Sequence, residues 1–176
     1  MKRNIALIGF MGSGKSSAGK RMARRLGYEF VEIDRLIEQQ AGKSVAQIFA
    51  ELGEPGFRDL EEEIINKVSV SARGAVIACG GGVVQRPVNI DRLRNSSHIV
   101  YLETDTASLQ DRLSNSRNRP LLEHPDRDRI IADLHTARRP LYEAAADITV
   151  KTGGRPFAAV INEIIEKLGI DESQHQ

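Results

Sequence analysis

The residues Gly9-Phe10-Met11-Gly12-Ser13-Gly14-Lys15-Ser16 have the spacing G-x-x-x-x-G-K-[ST], which is suited to holding a polyphosphate. Glycines let backbone N–H groups converge on phosphate oxygens with no Cβ in the way, and a helix that begins at the lysine turns its positive dipole end toward the same charge. In such a loop Lys15 reaches the β- and γ-oxygens, the Ser16 hydroxyl ligates Mg²⁺, and Gly12, Ser13, Gly14 and Ser17 surround the phosphates. The chemistry is nucleotide binding, with ATP and Mg²⁺ as the expected cofactors. A Gly-rich structural turn is the competing reading. It is disfavoured by the apolar run of residues 5–8 directly before the loop and the amphipathic run of residues 15–26 directly after it.

A metal on the phosphates needs an acid at the end of a neighbouring strand. Glu32 and Asp34 close the run Phe30-Val31-Glu32-Ile33-Asp34, and Glu103 closes another strand candidate. Alternation along a strand puts Glu32 and Asp34 on one side, so the two can serve one site. Asp34 is equally well placed to cap a helix over residues 35–40. Arginine outnumbers lysine 18 to 7, a bias that suits planar recognition of oxyanions. Glu61 lies three residues after Arg58 and can orient its guanidinium toward a carboxylate ligand, although in isolation such a pair is an ordinary surface ion pair. Arg138 alone reads as a solvated helix charge.

The elements that must position these groups alternate. Strand candidates at residues 5–8, 29–33, 75–79, 99–102 and 148–150 are separated by helical patterns at 15–26, 44–52, 57–71, 106–113 and 157–168. Apolar strands joined by helical crossovers predict a parallel sheet covered on both faces. Local chemistry sets the boundaries: Gly27 and Gly53 suit helix ends, Ser44 with Gln47 forms a capping box, and Pro156 suits a first helical turn. Pro140 is expected to break or kink its helix.

The chain of 176 residues has the size of one domain. A net charge of +1 removes the bulk basic field that holds nucleic acid nonspecifically, and 40% hydrophobic with 28% charged residues is far from the composition of disorder. The lone Cys79 excludes an internal disulfide, and the four histidines, with no cysteine partners, read as surface or capping groups. No run is long enough to span a membrane, and no heptad or apolar stripe announces an obligate interface. A cytoplasmic monomer with no nucleic-acid or membrane partner is therefore expected.

Several separated motifs together resemble the shikimate kinase family, from residue 5 to about residue 168. They are the phosphate loop, the acidic pair Glu32-Ile33-Asp34, the run Gly53-Glu54-Pro55-Gly56-Phe57-Arg58-Asp59-Leu60-Glu61, the triplet Gly80-Gly81-Gly82, Arg119-Pro120-Leu121-Leu122, and Arg138-Arg139-Pro140-Leu141-Tyr142. The resemblance implies an α/β P-loop NTPase fold of three layers. Its sheet would have five parallel strands in the order 2-3-1-4-5, helices on both faces and a mobile lid. It also implies transfer of the γ-phosphoryl group of ATP to the 3-hydroxyl of shikimate, with Lys15, Asp34 and Arg119 catalytic and Ser16 and Glu32 on the metal. Asp34, Arg58 and Arg138 would bind the shikimate hydroxyls and carboxylate, with Gly80, Gly81 and Gly82 allowing close backbone approach and Phe49 and Phe57 as apolar walls. Arg112 would lie near the nucleotide base and Arg155 in an adenine-side loop. The domain would cover residues 1–170, with an acceptor segment at 33–61, a lid at 112–125 and a frayed tail at 171–176. One departure is Glu32, which stands where the family usually has Asp. Two rivals stand against this reading: a kinase acting on gluconate or a nucleoside monophosphate, against which the motifs after the phosphate loop decide, and a nucleotide-gated binding protein. The second would be expected to have lost Asp34, Arg58, Arg119 or Arg138, all of which are present.

Overall fold

Ile5, Ala6, Leu7 and Ile8 are all fully buried. The period of two in a strand sends Ile5 and Leu7 into one core and Ala6 and Ile8 into another, so this strand must be covered on both faces. The computed structural model, which describes residues 3–114 and 125–175, shows how. Strands β1 (Asn4–Ile8), β2 (Glu29–Glu32), β3 (Ala75–Ala78), β4 (Ser97–Glu103) and β5 (Ile148–Lys151) form one sheet in the order β2-β3-β1-β4-β5. Every pairing is parallel, with Ile5 opposite Val76 on one side and His98 on the other. Helices α1 (Lys15–Leu26) and α7 (Phe157–Leu168) cover one face through Met22, Leu26, Val160 and Ile164. Helices α2 (Ile33–Ala41), α3 (Val45–Ser71), α4 (Pro87–Ser96), α5 (Thr106–Ser114) and α6 (Arg127–Ala145) lie on the other side, where Ile37, Ile65, Leu93, Leu109 and Tyr142 join the second core. The expected α/β architecture and strand order are both observed.

Four local expectations are corrected. The second strand stops at Glu32 and α2 begins at Ile33, so Asp34 sits in the first turn of a helix instead of ending a strand. The two helical patterns at 44–52 and 57–71 run together as α3, which bends at Gly53 (φ 68°, ψ −177°) and opens on the expected Ser44–Gln47 capping box. Pro140 does not end α6, which continues to Ala145. The segment expected to fray forms a 3₁₀ turn at Glu172–His175, tied back by Arg25, whose Nη2 donates to Glu172 Oε2 at 2.9 Å. Helix α4 had no counterpart in the sequence reading; Pro87 starts it, and Asn89, Ile90 and Leu93 pack inward. Among the described residues, no helix is long and apolar enough to cross a membrane.

Candidate active site

The loop between β1 and α1 turns where the chain leaves the C-terminal edge of the sheet, the edge at which parallel α/β sheets bind ligands. Gly14 precedes α1 with φ 90°, a conformation that lets its neighbours' N–H groups turn inward at the helix end. Lys15 Nζ donates to the carbonyls of Gly9 (2.7 Å) and Phe10 (2.9 Å), which holds the ammonium across the loop. The Ser16 hydroxyl donates to Glu32 Oε1 at 2.8 Å. A hydroxyl and a carboxylate in contact give the all-oxygen donors that a hard divalent cation prefers, and the longer Glu32 side chain reaches Ser16 directly. Among the described residues no three His, Cys, Asp or Glu side chains gather into a metal cage, so phosphate oxygens and water would have to complete the shell.

A cleft of about 200 Å³ opens beside this loop, lined by Gly12, Gly14, Lys15, Ser16, Ser17, Glu32, Asp34, Gly80 and Gly81 among others. Asp34 and Glu32 therefore face one cavity, although the strand-to-helix junction, and not strand alternation, is what brings them there. Ser13 is buried beneath the loop, and its N–H donates to Phe10 O at 3.2 Å. Glu103, the third acid considered for the metal, is paired with Arg139 at 2.9 Å.

The glycine triplet after β3 lets the acceptor-side groups pack together. A Cβ on Gly80 would lie 2.9 Å from Asp34 Oδ1 and 3.1 Å from Glu61 Oε2, and one on Gly82 would overlap the Arg58 guanidinium. Arg58 Nη1 donates to Glu61 Oε1 at 2.9 Å, and Glu54 Oε1 lies 3.4 Å from Arg58 Nε. The Glu61 carboxyl is fully buried, so this is no surface ion pair; burial pushes its pKa up, and the Arg58 charge pulls the other way. Arg138 is 7% exposed and sits beside Gly81, with its guanidinium 5.9 Å from the Phe10 ring centre. No carboxylate among the described residues lies within ion-pair distance of it. The Tyr142 hydroxyl donates to Gly81 O and fixes the turn; its motif was visible in the sequence, but its role was not. Phe57 is buried and stacks on Phe49 with ring centres 4.6 Å apart. Cys79 is buried, and burial pushes its thiol well above the usual range, which keeps it a neutral core residue.

Arg155 does not line the cleft. It bonds Lys151 O at 2.8 Å and Glu163 at 2.7 Å, on the exposed side of α7. Arg119 lies outside the described residues, as does most of the expected lid, and of Arg112 only its place on α5 is described.

His135 overturns its reading as a surface group. It is 6% exposed, its Nδ1 shares a hydrogen bond with Thr106 Oγ1 at 3.0 Å, and its ring lies 5.5 Å from that of Phe10. Burial lowers its pKa below the ordinary 6.5, helped by Arg139 and opposed by Glu103 and Asp105. The folded chain then binds fewer protons here than the unfolded one. Stability from this group is complete above about pH 6.5 and falls as the pH drops below it. Thermal midpoints at pH 7.5 and 5.5 should therefore differ less in His135→Asn than in the parent; equal differences would remove His135 from the acid response.

A parallel sheet that feeds a phosphate loop at its C-terminal edge, with buried arginines facing that loop across a glycine turn, places this protein among the P-loop kinases of small molecules. The family model for shikimate kinase matches residues 11–169. A shikimate kinase of Dehalococcoides mccartyi is 42% identical over 168 residues, which are 96% of this chain and 94% of that protein. The shikimate kinase of Acinetobacter baumannii in complex with shikimate superposes with a TM-score of 0.91 at 33% identity, covering 96% of this chain and 93% of its own. The enzyme of Aquifex aeolicus gives 0.81 at 35% identity, with 94% and 96% covered. The chain belongs to the shikimate kinase family.

Proposed function

We propose that this enzyme transfers the γ-phosphoryl group of ATP to the 3-hydroxyl of shikimate. The observation that carries the reading is Arg138. A buried guanidinium with no carboxylate among the described residues at ion-pair distance is costly unless a ligand brings the counter-ion, and the carboxylate of the acceptor does so here. Arg58, already oriented by Glu61, shares that carboxylate, and Asp34 holds the attacking hydroxyl toward the phosphate loop. Phosphoryl transfer through a loose transition state needs little covalent help, so positioning and charge supply the catalysis. Lys15 takes β- and γ-oxygens when it leaves the carbonyls of Gly9 and Phe10. Asp34 orients the hydroxyl or accepts its proton, and Arg119 meets the transferring group. Ser16 and Glu32 would hold Mg²⁺, which would supply positive charge to offset that of the phosphates. Gly12, Ser13, Gly14 and Ser17 surround the phosphates, Arg112 and Arg155 lie toward the nucleoside, and Gly80, Gly81 and Gly82 let the acceptor approach backbone. We place all of this in a single domain of residues 1–170, working as a monomer in the cytoplasm with no nucleic-acid or membrane partner.

Release of ADP in the presence of Mg-ATP, followed by a coupled assay, should depend on added shikimate and ignore gluconate and AMP. Equal rates with either of those would end the assignment. ATP binding with no acceptor-dependent turnover would favour the nucleotide-gated binding protein.

A further inference from the structure

Gln85 ends the 3₁₀ turn Val83–Gln85, just beyond the glycine triplet, and nothing in its sequence surroundings marks it. Its amide lies between two charged side chains brought in from distant helices. In the orientation that satisfies both, the amide oxygen accepts from Arg138 Nη2 at 2.7 Å and the amide nitrogen donates to Glu54 Oε1 at 3.0 Å. Glu54 in turn touches Arg58, so Arg58, Glu54, Gln85 and Arg138 form one chain of contacts.

We propose that Gln85 is a positioning residue that aims Arg138 at the acceptor's carboxylate while leaving the arginine's charge unspent. This rests on the reading of the acceptor as a carboxylate. The two arginines are treated differently: Arg58 already has Glu61 and Glu54 as counter-ions, whereas Arg138 receives a neutral acceptor atom. A carboxylate at position 85 would hold Arg138 equally well but would compete with the ligand for its charge and face Glu54 with a like charge. A primary amide both accepts from a guanidinium and donates to a carboxylate, and it adds no charge. Its length fits the gap between α3 and α6. Holding the guanidinium before the ligand arrives removes an ordering cost from binding.

The test is steady-state kinetics of the parent, Gln85→Met and Gln85→Glu, varying shikimate and ATP separately, with thermal midpoints alongside. Gln85 is exposed, so both substitutions leave the core intact. Gln85→Met keeps the length and loses both hydrogen bonds. It should raise the shikimate KM by about tenfold, the effect of one hydrogen bond to a charged group, with kcat and the ATP KM within about twofold of the parent. Gln85→Glu should raise the shikimate KM further still, because it gives Arg138 a permanent counter-ion. A merely structural residue would not respond to the sign of its charge in this way. Parental shikimate KM in both variants overturns the proposal, as does a matching rise in the ATP KM or a smaller effect for Glu than for Met. A parent inert toward shikimate would instead overturn the acceptor reading, and this proposal with it.

Discussion

Arg138→Ala is expected to raise the shikimate KM by roughly 30- to 4,000-fold, corresponding to about 2–5 kcal/mol, while leaving the thermal midpoint at or above that of the parent. The two halves of this expectation have one cause. In the folded chain Arg138 is buried without a carboxylate partner among the described residues, so the protein holds a desolvated charge whose compensation is deferred until the acceptor binds. Removing it relieves that cost and discards the binding. Arg58→Ala should weaken acceptor binding as well, but with a loss of about 3–5 kcal/mol in stability, because the fully buried Glu61 carboxyl is left without its cation. Midpoints and KM values measured on the same two preparations separate the cases. Arg138→Ala with a parental KM, or with the larger fall in midpoint of the two, would refute the account of Arg138 as a charge reserved for the ligand.

Arg119→Ala is expected to do the reverse, with kcat lower by about 10³ or more and the shikimate KM nearly parental. An arginine that meets the transferring phosphoryl group stabilises charge that exists chiefly in the transition state, so its loss appears in turnover and not in ground-state affinity. Arg119→Lys should recover only part of the rate, since an ammonium is a point charge and cannot present two parallel N–H donors to one phosphoryl group. Near-parental kcat combined with weakened ATP binding would make Arg119 a nucleotide anchor and end its assignment to the transferring group. Together, Arg138 and Arg119 divide the site into a residue that binds the acceptor and a residue that drives the transfer.

By itself the sequence determined the strands, the phosphate loop and the family. A strand buried on both faces must be apolar throughout, as residues 5–8 are, and a phosphate loop must have its glycines and lysine at one spacing between strand and helix. Both are local requirements, and a local requirement leaves its mark in consecutive residues. The joining of two helical patterns into α3 was less legible, because Gly53 and Pro55 mark a helix end as well as they mark a bend. His135 was misread because a single histidine on a polar helix carries no sign of whether Phe10 and Thr106 will close over it.

What only the tertiary structure decided is the state of the charges. In the sequence Arg58 has acids at the helical spacings i−4 and i+3 and Arg138 has none, yet neither spacing shows which arginine will be buried or what will face it. Folding gave Arg58 two carboxylates from its own helix, Glu54 and Glu61, and carried Arg138 to the glycine turn, where it meets the amide of Gln85. Likewise Glu32 and Glu103 both end strands of one parallel sheet, yet one reaches Ser16 and the other is taken by Arg139. Coulomb energy depends on distance through space and on the exclusion of water, and a crossover topology sets both by bringing together residues tens of positions apart.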